Sequence, residues 1–268
     1  MNREEMLAPL RARRAAGEAI VVAGVGSGIT AAGAKAGGAD LLATYGTAVY
    51  RILGVPTVLA FLPYDDANKL TLGLLPEIVE RAGDLPVVGG LGAHDPRRSL
   101  AWLVGAARDA GASGVTNEPF AGIYGPTFRA ELERTGYGFS RELEMLRLAA
   151  REGMLTLGWA FDPEEARRMA AEGVDVIGTM TGITGAGGDE TALDEFGAMV
   201  RAARDEQPDA IVLLHGGPLT DPPSVAAALA ATGADGYATG SSAERGPVLA
   251  GVRDAVRAFK ELRTNRAS

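Results

Sequence analysis

Short apolar runs recur along almost the whole chain, each followed by a stretch with helical spacing of its apolar residues. Runs of that length suit buried strands, and their regular alternation with amphipathic helices is the pattern of a parallel sheet clothed in helices. The strands are predicted at 19–23, 41–44, 114–117, 155–159, 176–180, 211–215 and 236–239, with the third at either 57–61 or 87–91. Helices are expected at 67–81 and, more briefly, at 48–53. Eight strand and helix cycles in 268 residues fit one (β/α)8 TIM barrel, spanning 1–268 as a single α/β domain.

A recurring phrase sets the polarity of that barrel. Ala36-Gly-Gly-Ala-Asp40, Ala110-Gly-Ala-Ser-Gly114, Ala171-Glu-Gly-Val-Asp175 and Ala231-Thr-Gly-Ala-Asp235 each stand between a helix and a strand. They belong to the N-terminal face, so Asp40, Asp175 and Asp235 are read as stabilising residues and not as catalysts. Segments that follow strands are richer in glycine and polar groups: Gly24-Val-Gly-Ser-Gly28, Gly92-Ala-His-Asp95, Asn117-Glu-Pro-Phe120, the 179–185 stretch, His215-Gly-Gly-Pro218 and Gly240-Ser-Ser-Ala-Glu-Arg245. Chemistry is therefore expected on the C-terminal rim. Residues 1–16 read as a charged helix, with Leu7 and Leu10 on one side, that covers the barrel bottom or makes a subunit contact.

A net charge of −8 argues against nucleic acid or an anionic membrane surface as partner, because both demand clustered positive charge. With no cysteine, disulfides, thiolate metal ligands and a cysteine nucleophile are excluded. The N-terminus lacks a signal-peptide pattern and no apolar run reaches membrane-spanning length, so a cytoplasmic protein is expected.

On the rim, Gly24 and Gly26 follow the first strand, yet a dinucleotide fingerprint would need a third glycine where Ile29 stands and an acid where Thr44 and Tyr45 stand. No nucleotide cofactor is expected; a tight turn approached by a ligand or a loop is. The loops after strands seven and eight suit an anion, with Gly216, Gly217, Gly240, Ser241 and Ser242 as donors and Arg245 as charge, or else are plain turns with a serine helix cap. Both histidines of the chain, His94 and His215, fall just beyond a strand and are candidate proton carriers. Asp95 and Glu118 end consecutive predicted strands and could share a Mg2+ ion, although Asp95-Pro96 also reads as a helix cap. Further rim carboxylates are Asp65, Asp66, Asp162, Asp189 and Glu190, with Asp162 read first as a cap. The three lysines, Lys35, Lys69 and Lys260, all fall in predicted helices, which disfavours Schiff-base chemistry, and no nucleophile elbow supports a serine hydrolase.

Taken together, these motifs resemble the phosphoenolpyruvate hydrolase-like family of TIM-barrel proteins, a family that also supplies the C-terminal domain of a plant tobamovirus resistance protein. The resemblance is carried by Gly37-Gly-Ala-Asp40 with Tyr45, Tyr50-Arg51, Leu62-Pro-Tyr64 with Ala67-Asn68, Asp95-Pro96, and Gly114-Val115 with Asn117 and Pro119. It continues through Phe128-Arg129, Leu132-Glu133, Thr135-Gly136 with Gly138, Glu144, His215-Gly-Gly-Pro218, and Ser241-Ser242 with Glu244-Arg245. It implies a fold like that of phosphonopyruvate hydrolases and phosphoenolpyruvate mutases, Mg2+, a three-carbon phosphorylated or phosphonylated oxoacid, a substrate-facing Tyr45 and a homo-oligomer. The chain departs from the family pattern at Thr179-Met-Thr-Gly-Ile-Thr184, where relatives carry a histidine, at His94 in place of threonine, and at Glu118 in place of an aromatic residue.

Three functions stay open on this reading. One is a hydrolase of a phosphorylated or phosphonylated oxoacid, using His94, His215 and Glu118. A second is a metal-assisted carbon–carbon lyase or hydrolase on another oxoacid. The third is a ligand-sensing or interaction barrel without turnover.

Overall fold

The computed structural model describes residues 1–185 and 191–262. Within them eight parallel strands close into a barrel in chain order. The strands are β1 (Ile20–Gly24), β2 (Leu41–Thr44), β3 (Val87–Gly90), β4 (Gly114–Thr116), β5 (Leu155–Ala160), β6 (Val176–Met180), β7 (Ile211–His215) and β8 (Gly236–Thr239). β1 and β8 close the ring, with Val22 beside Ala238. The described helices are α1 (Arg3–Ala16), α2 (Gly28–Ala36), α3 (Gly46–Ile52), α4 (Ala67–Ala82), α5 (Leu100–Asp109), α6 (Pro126–Arg134), α7 (Phe139–Arg151), α8 (Pro163–Ala171), α9 (Ala192–Glu206), α10 (Pro222–Thr232) and α11 (Arg245–Lys260).

The third strand is the 87–90 segment. Thr57–Phe61 is instead a 3-10 turn that buries none of its residues fully, part of an excursion between α3 and α4. Its apolar content serves the rim, because Phe61 stacks on Phe120 with ring centroids 5.4 Å apart. Alternation along the strands divides the core in two. Ile20, Val22, Leu41, Val88, Leu155, Leu157, Val176, Ile211 and Leu213 fill the barrel interior. Leu42, Val87, Val115, Ile177, Val212 and Leu214 face the helix layer.

The recurring phrases sit at the barrel bottom and act in a fourfold pattern. Asp40, ahead of β2, accepts from the Val21 N–H at 2.8 Å; Ser113, ahead of β4, from Val87 at 3.3 Å. Asp175, ahead of β6, accepts from Thr156 at 2.9 Å; Asp235, ahead of β8, from Val212 at 2.8 Å. Each therefore ties the start of an odd strand to the even strand that follows. The three carboxylates also anchor α1, through Arg13 to Asp40, Arg3 to Asp175 at 2.7 Å, and Arg14 to Asp235 at 3.2 Å. Met6, Leu7 and Leu10 of α1 are 3–4% exposed and join the interior cluster, so α1 is the lid of the barrel bottom.

α11 is unlike the other long helices: it buries none of its side chains, and Leu249, Val252, Val256 and Phe259 are all more than half exposed. Beside it the outer faces of β1 and β8 carry two apolar grooves. One is lined by Val21, Val225, Leu229 and Tyr237, the other by Ala23, Ile29, Ala34 and the first turns of α11. No described helix is long and apolar enough to cross a membrane.

Candidate active site

Counting by two from the barrel interior carries five of the strands to a side chain at the C-terminal mouth: Tyr45 after β2, Glu118 after β4, Trp159 on β5, Met180 on β6 and His215 on β7. These five line one small cavity with Arg51, Phe61, Phe120, Ile183 and Ser241, and it opens to solvent.

Arg51 is the cation of this mouth. It comes from α3, which the tight turn at Gly24 and Gly26 lets lie against β1. A Cβ on Gly26 would stand 2.4 Å from the Ala48 carbonyl oxygen, and one on Gly24 would stand 2.1 Å from the Tyr45 hydroxyl. The Arg51 guanidinium donates through Nε to Glu244 at 2.7 Å and through Nη2 to the Gly24 carbonyl at 2.9 Å. Nη1 lies by Gly240 and His215: a Cβ built on Gly240 would meet it at 3.4 Å and His215 Cε1 at 3.5 Å. Glu244 also accepts from the Gly26 N–H at 2.6 Å and from Thr30 Oγ1 at 2.7 Å. One buried carboxylate thus locks the loop after β1, α2 and the guanidinium together.

His215 Nδ1 lies 2.6 Å from the Ala238 carbonyl oxygen. A carbonyl only accepts, so Nδ1 carries the proton and Nε2 is left with its lone pair. Burial between Trp159 and Tyr237 draws the imidazole pKa down to about 4, which keeps the ring neutral at physiological pH. Glu118 has the opposite problem. Its Oε1 accepts from the Thr47 N–H at 3.3 Å, while Oε2 is buried without a hydrogen-bond partner among the described residues. Desolvation pushes its pKa up to about 7, so the carboxyl stays protonated until near neutrality. Tyr45 is likewise raised by burial and remains a phenol. The Ser241 side chain also borders the mouth.

Several expected residues turn out to be occupied elsewhere. The Gly26 N–H belongs to Glu244, and the Gly217 N–H is donated to the Gly182 carbonyl at 3.2 Å. Gly216 and Gly217 have φ of 79° and 53°, and a Cβ on either would strike Gly182 or Thr181, so they let the loop after β7 pack on the loop after β6. Ser242 borders the groove beside α10 and shares a hydrogen bond with Thr239. Arg245 bonds the Val55 carbonyl and Thr57, pinning the 57–61 turn. Of the phosphate donors expected on the last two loops, Ser241 and Gly240 remain at the mouth.

His94 and Asp95 are on the same rim but in a neighbouring pocket, with Asp65, Asn68 and Tyr124. Asp95 accepts from Arg98 at 2.6 Å, Asn68 at 3.1 Å and the Arg97 N–H at 2.8 Å, which holds its carboxyl below the usual range against the cost of burial. It is not the helix cap of the alternative reading, since α5 starts at Leu100 with Ser99 as its cap, but it holds a turn by accepting from the Arg97 and Arg98 N–H groups. Asp95 and Glu118 therefore line different pockets and do not form a shared metal site. Among the described residues no group of three or more His, Asp or Glu could hold a metal ion. Asp162 caps α8, donating nothing and accepting from Glu165 at 2.8 Å. Asp189 and Glu190 lie outside the described residues. Arg51 carried no functional reading of its own in the sequence; the signal for it is a lone cation about two helical turns beyond a strand end.

The sequence profile of the phosphoenolpyruvate hydrolase-like family matches residues 5–262. Among characterised proteins, the chain is 36% identical to the ToMV resistance protein Tm-1(GCR237) of Solanum lycopersicum over 97% of its own length and 36% of that protein. It thus spans about a third of the length of that relative. Among solved structures it is similar to a phosphonopyruvate hydrolase in complex with oxalate and Mg2+, with a TM-score of 0.66 and 17% identity, covering 97% of this chain and 87% of the other. A 2,3-dimethylmalate lyase of the PEP mutase/isocitrate lyase superfamily aligns with a TM-score of 0.63 and 17% identity, over 98% and 92% of the two chains.

Proposed function

Because this chain belongs to the phosphoenolpyruvate hydrolase-like family, we propose that its barrel mouth is an acid–base active site for a small oxoacid, acting as a carbon–carbon lyase or hydrolase. The observation that carries this reading is the convergence of one cation, one neutral histidine and one protonated carboxyl on a single cavity. Arg51 Nη1 and the Ser241 hydroxyl would hold the carboxylate of the acid. His215 Nε2 would take the proton of a hydroxyl on the carbon to be released, and that C–O becomes a carbonyl as the carbon–carbon bond breaks. The electron pair of that bond passes to the neighbouring carbonyl as an enolate, to which Glu118 returns a proton.

The solved phosphonopyruvate hydrolase contains Mg2+. The described residues of this mouth do not fit such an ion: the one carboxylate among them, Glu118, is protonated up to about pH 7, and Asp95 is spent on Arg98, Asn68 and the backbone. No step here is routed through a metal. Phosphoryl or phosphonyl hydrolysis is less well supported, since the Gly26 and Gly217 N–H groups and Arg245 serve the scaffold.

A homo-oligomer is part of the same proposal. In a (β/α)8 barrel the helix after β8 should cover the seam between β8 and β1, where two apolar grooves are found. The exposed face of α11 has the apolar character that this seam lacks a partner for, so a second copy of this chain is the fitting occupant.

The test is incubation of the purified protein with a panel of oxoacids, with and without added Mg2+, followed by mass spectrometry. New carbon-chain fragments that form without Mg2+ are expected. Release of phosphate from phosphoenolpyruvate alone would refute the lyase reading, and binding without any turnover would favour an interaction barrel.

A further inference from the structure

We infer that the mouth takes a monoanionic 2-oxo acid bearing an aromatic or branched apolar substituent, and not a phosphorylated three-carbon acid. The inference rests on the reading of the mouth as an oxoacid site and goes on to name what the rest of that molecule must be.

Charge is the first argument. Among the described residues Arg51 is the one cation lining the cavity, and its charge is already matched by Glu244; the two side chains are 3% and 2% exposed. A carboxylate can still use Nη1. A phosphoryl group beside a carboxylate would bring further negative charge into a site whose other ionisable groups, Glu118 and His215, supply no positive charge at neutral pH. Desolvating an anion without a matching cation is costly, so each added charge is disfavoured.

An apolar wall shares the cavity with Arg51. Phe61, Phe120, Trp159, Met180 and Ile183 line it. Phe120 is sandwiched between Phe61 at 5.4 Å and Phe161 at 4.8 Å, which fixes its ring as a rigid face. A three-carbon phosphorylated acid has no apolar group to lay against such a wall, whose only donor is the Trp159 indole N–H. A phenyl or isobutyl substituent would bury its surface there while the carboxylate reaches Arg51 and Ser241.

Isothermal titration calorimetry at pH 6 with pyruvate, 4-methyl-2-oxopentanoate, phenylpyruvate, phosphoenolpyruvate and inorganic phosphate tests this. Phenylpyruvate should bind at least about tenfold more tightly than pyruvate or phosphoenolpyruvate, the gain expected from burying one ring. Phe120→Leu, which keeps a core-sized side chain, should shrink that gap. Equal affinity for pyruvate and phenylpyruvate, or tighter binding of phosphoenolpyruvate or phosphate, would overturn the inference while leaving the mouth as an anion site. Failure of every acid to bind would overturn the oxoacid reading as well.

Discussion

Arg51 and Glu244, 193 positions apart in sequence, meet at 2.7 Å in a pair that excludes solvent almost completely. The pair joins the start of the barrel to its end, since Glu244 also holds Gly26 and Thr30 while Arg51 holds Gly24. Glu244→Gln leaves a buried guanidinium without its counter-charge and should cost about 3–5 kcal/mol of stability. Urea unfolding measures it. The double change Arg51→Met with Glu244→Gln should recover much of that loss yet abolish oxoacid binding, which separates the structural role of the pair from the ligand role of Arg51.

Glu118 predicts a pH-dependent stability. Its folded-state pKa of about 7 lies above the ordinary 4.5 because of burial, so the native protein holds the proton more tightly than the unfolded chain. The corresponding stability is fully present below 4.5 and is lost as pH rises through 7. Glu118→Gln cannot ionise, and should gain about 3 kcal/mol relative to the parent between pH 4.5 and 8. Unfolding curves at the two ends of that range decide it: a difference between the two proteins that does not change with pH would refute the assignment.

The same two groups set the activity profile. His215 is a base down to about pH 4, and Glu118 is an acid up to about pH 7. Turnover of the oxoacid identified in the panel should therefore hold across that acidic window and fall above 7 as Glu118 ionises. His215→Gln should lower kcat by roughly 10²–10⁴-fold with a smaller effect on KM. A rate that climbs steadily from pH 6 to 9 would contradict these roles.

The exposed face of α11 predicts self-association. Sedimentation of the parent should give a mass at least twice that of one chain, and the paired change Val252→Asp with Phe259→Asp should return it to one. Both positions are exposed, at 62% and 74%, so the fold of the barrel should survive. A parent that sediments as a monomer at micromolar concentration would rule out this role for α11.

At the barrel bottom, Leu7 is 3% exposed on the inner face of α1. Leu7→Ala should cost about 2–4 kcal/mol, the range for a buried leucine truncation. Arg3→Ala should also destabilise, because it strips one partner from the nearly buried Asp175. Thermal unfolding of the two variants checks that α1 is part of the fold.

Much of the fold was legible because strand burial and helix amphipathicity are local properties. Seven of the eight strands and the N-terminal polarity of the Asp40, Asp175 and Asp235 phrases follow from them. The 57–61 segment was ambiguous for a physical reason: a short apolar run reads alike whether it enters a sheet or roofs a cavity, and Phe61 does the latter. The site was legible in part. His215, Glu118 and Ser241 were chosen from their positions just beyond strands and Tyr45 from the family resemblance, and all four line the mouth. His94 and Asp95 met the same criterion and belong to a neighbouring pocket, since the position after a strand fixes the rim but not the direction of the side chain.

The amino-acid order by itself determined an eight-stranded α/β barrel and the rim on which its chemistry lies, because periodicity and turn chemistry act over a few residues. Only the tertiary structure decided which donors remain for a ligand. Whether the Gly26 N–H serves a substrate or Glu244 depends on a residue 218 positions away, and such a contact leaves no trace in local pattern. The same holds for Arg51, whose role arises when chain closure brings β1, α3 and the loop after β8 around one guanidinium.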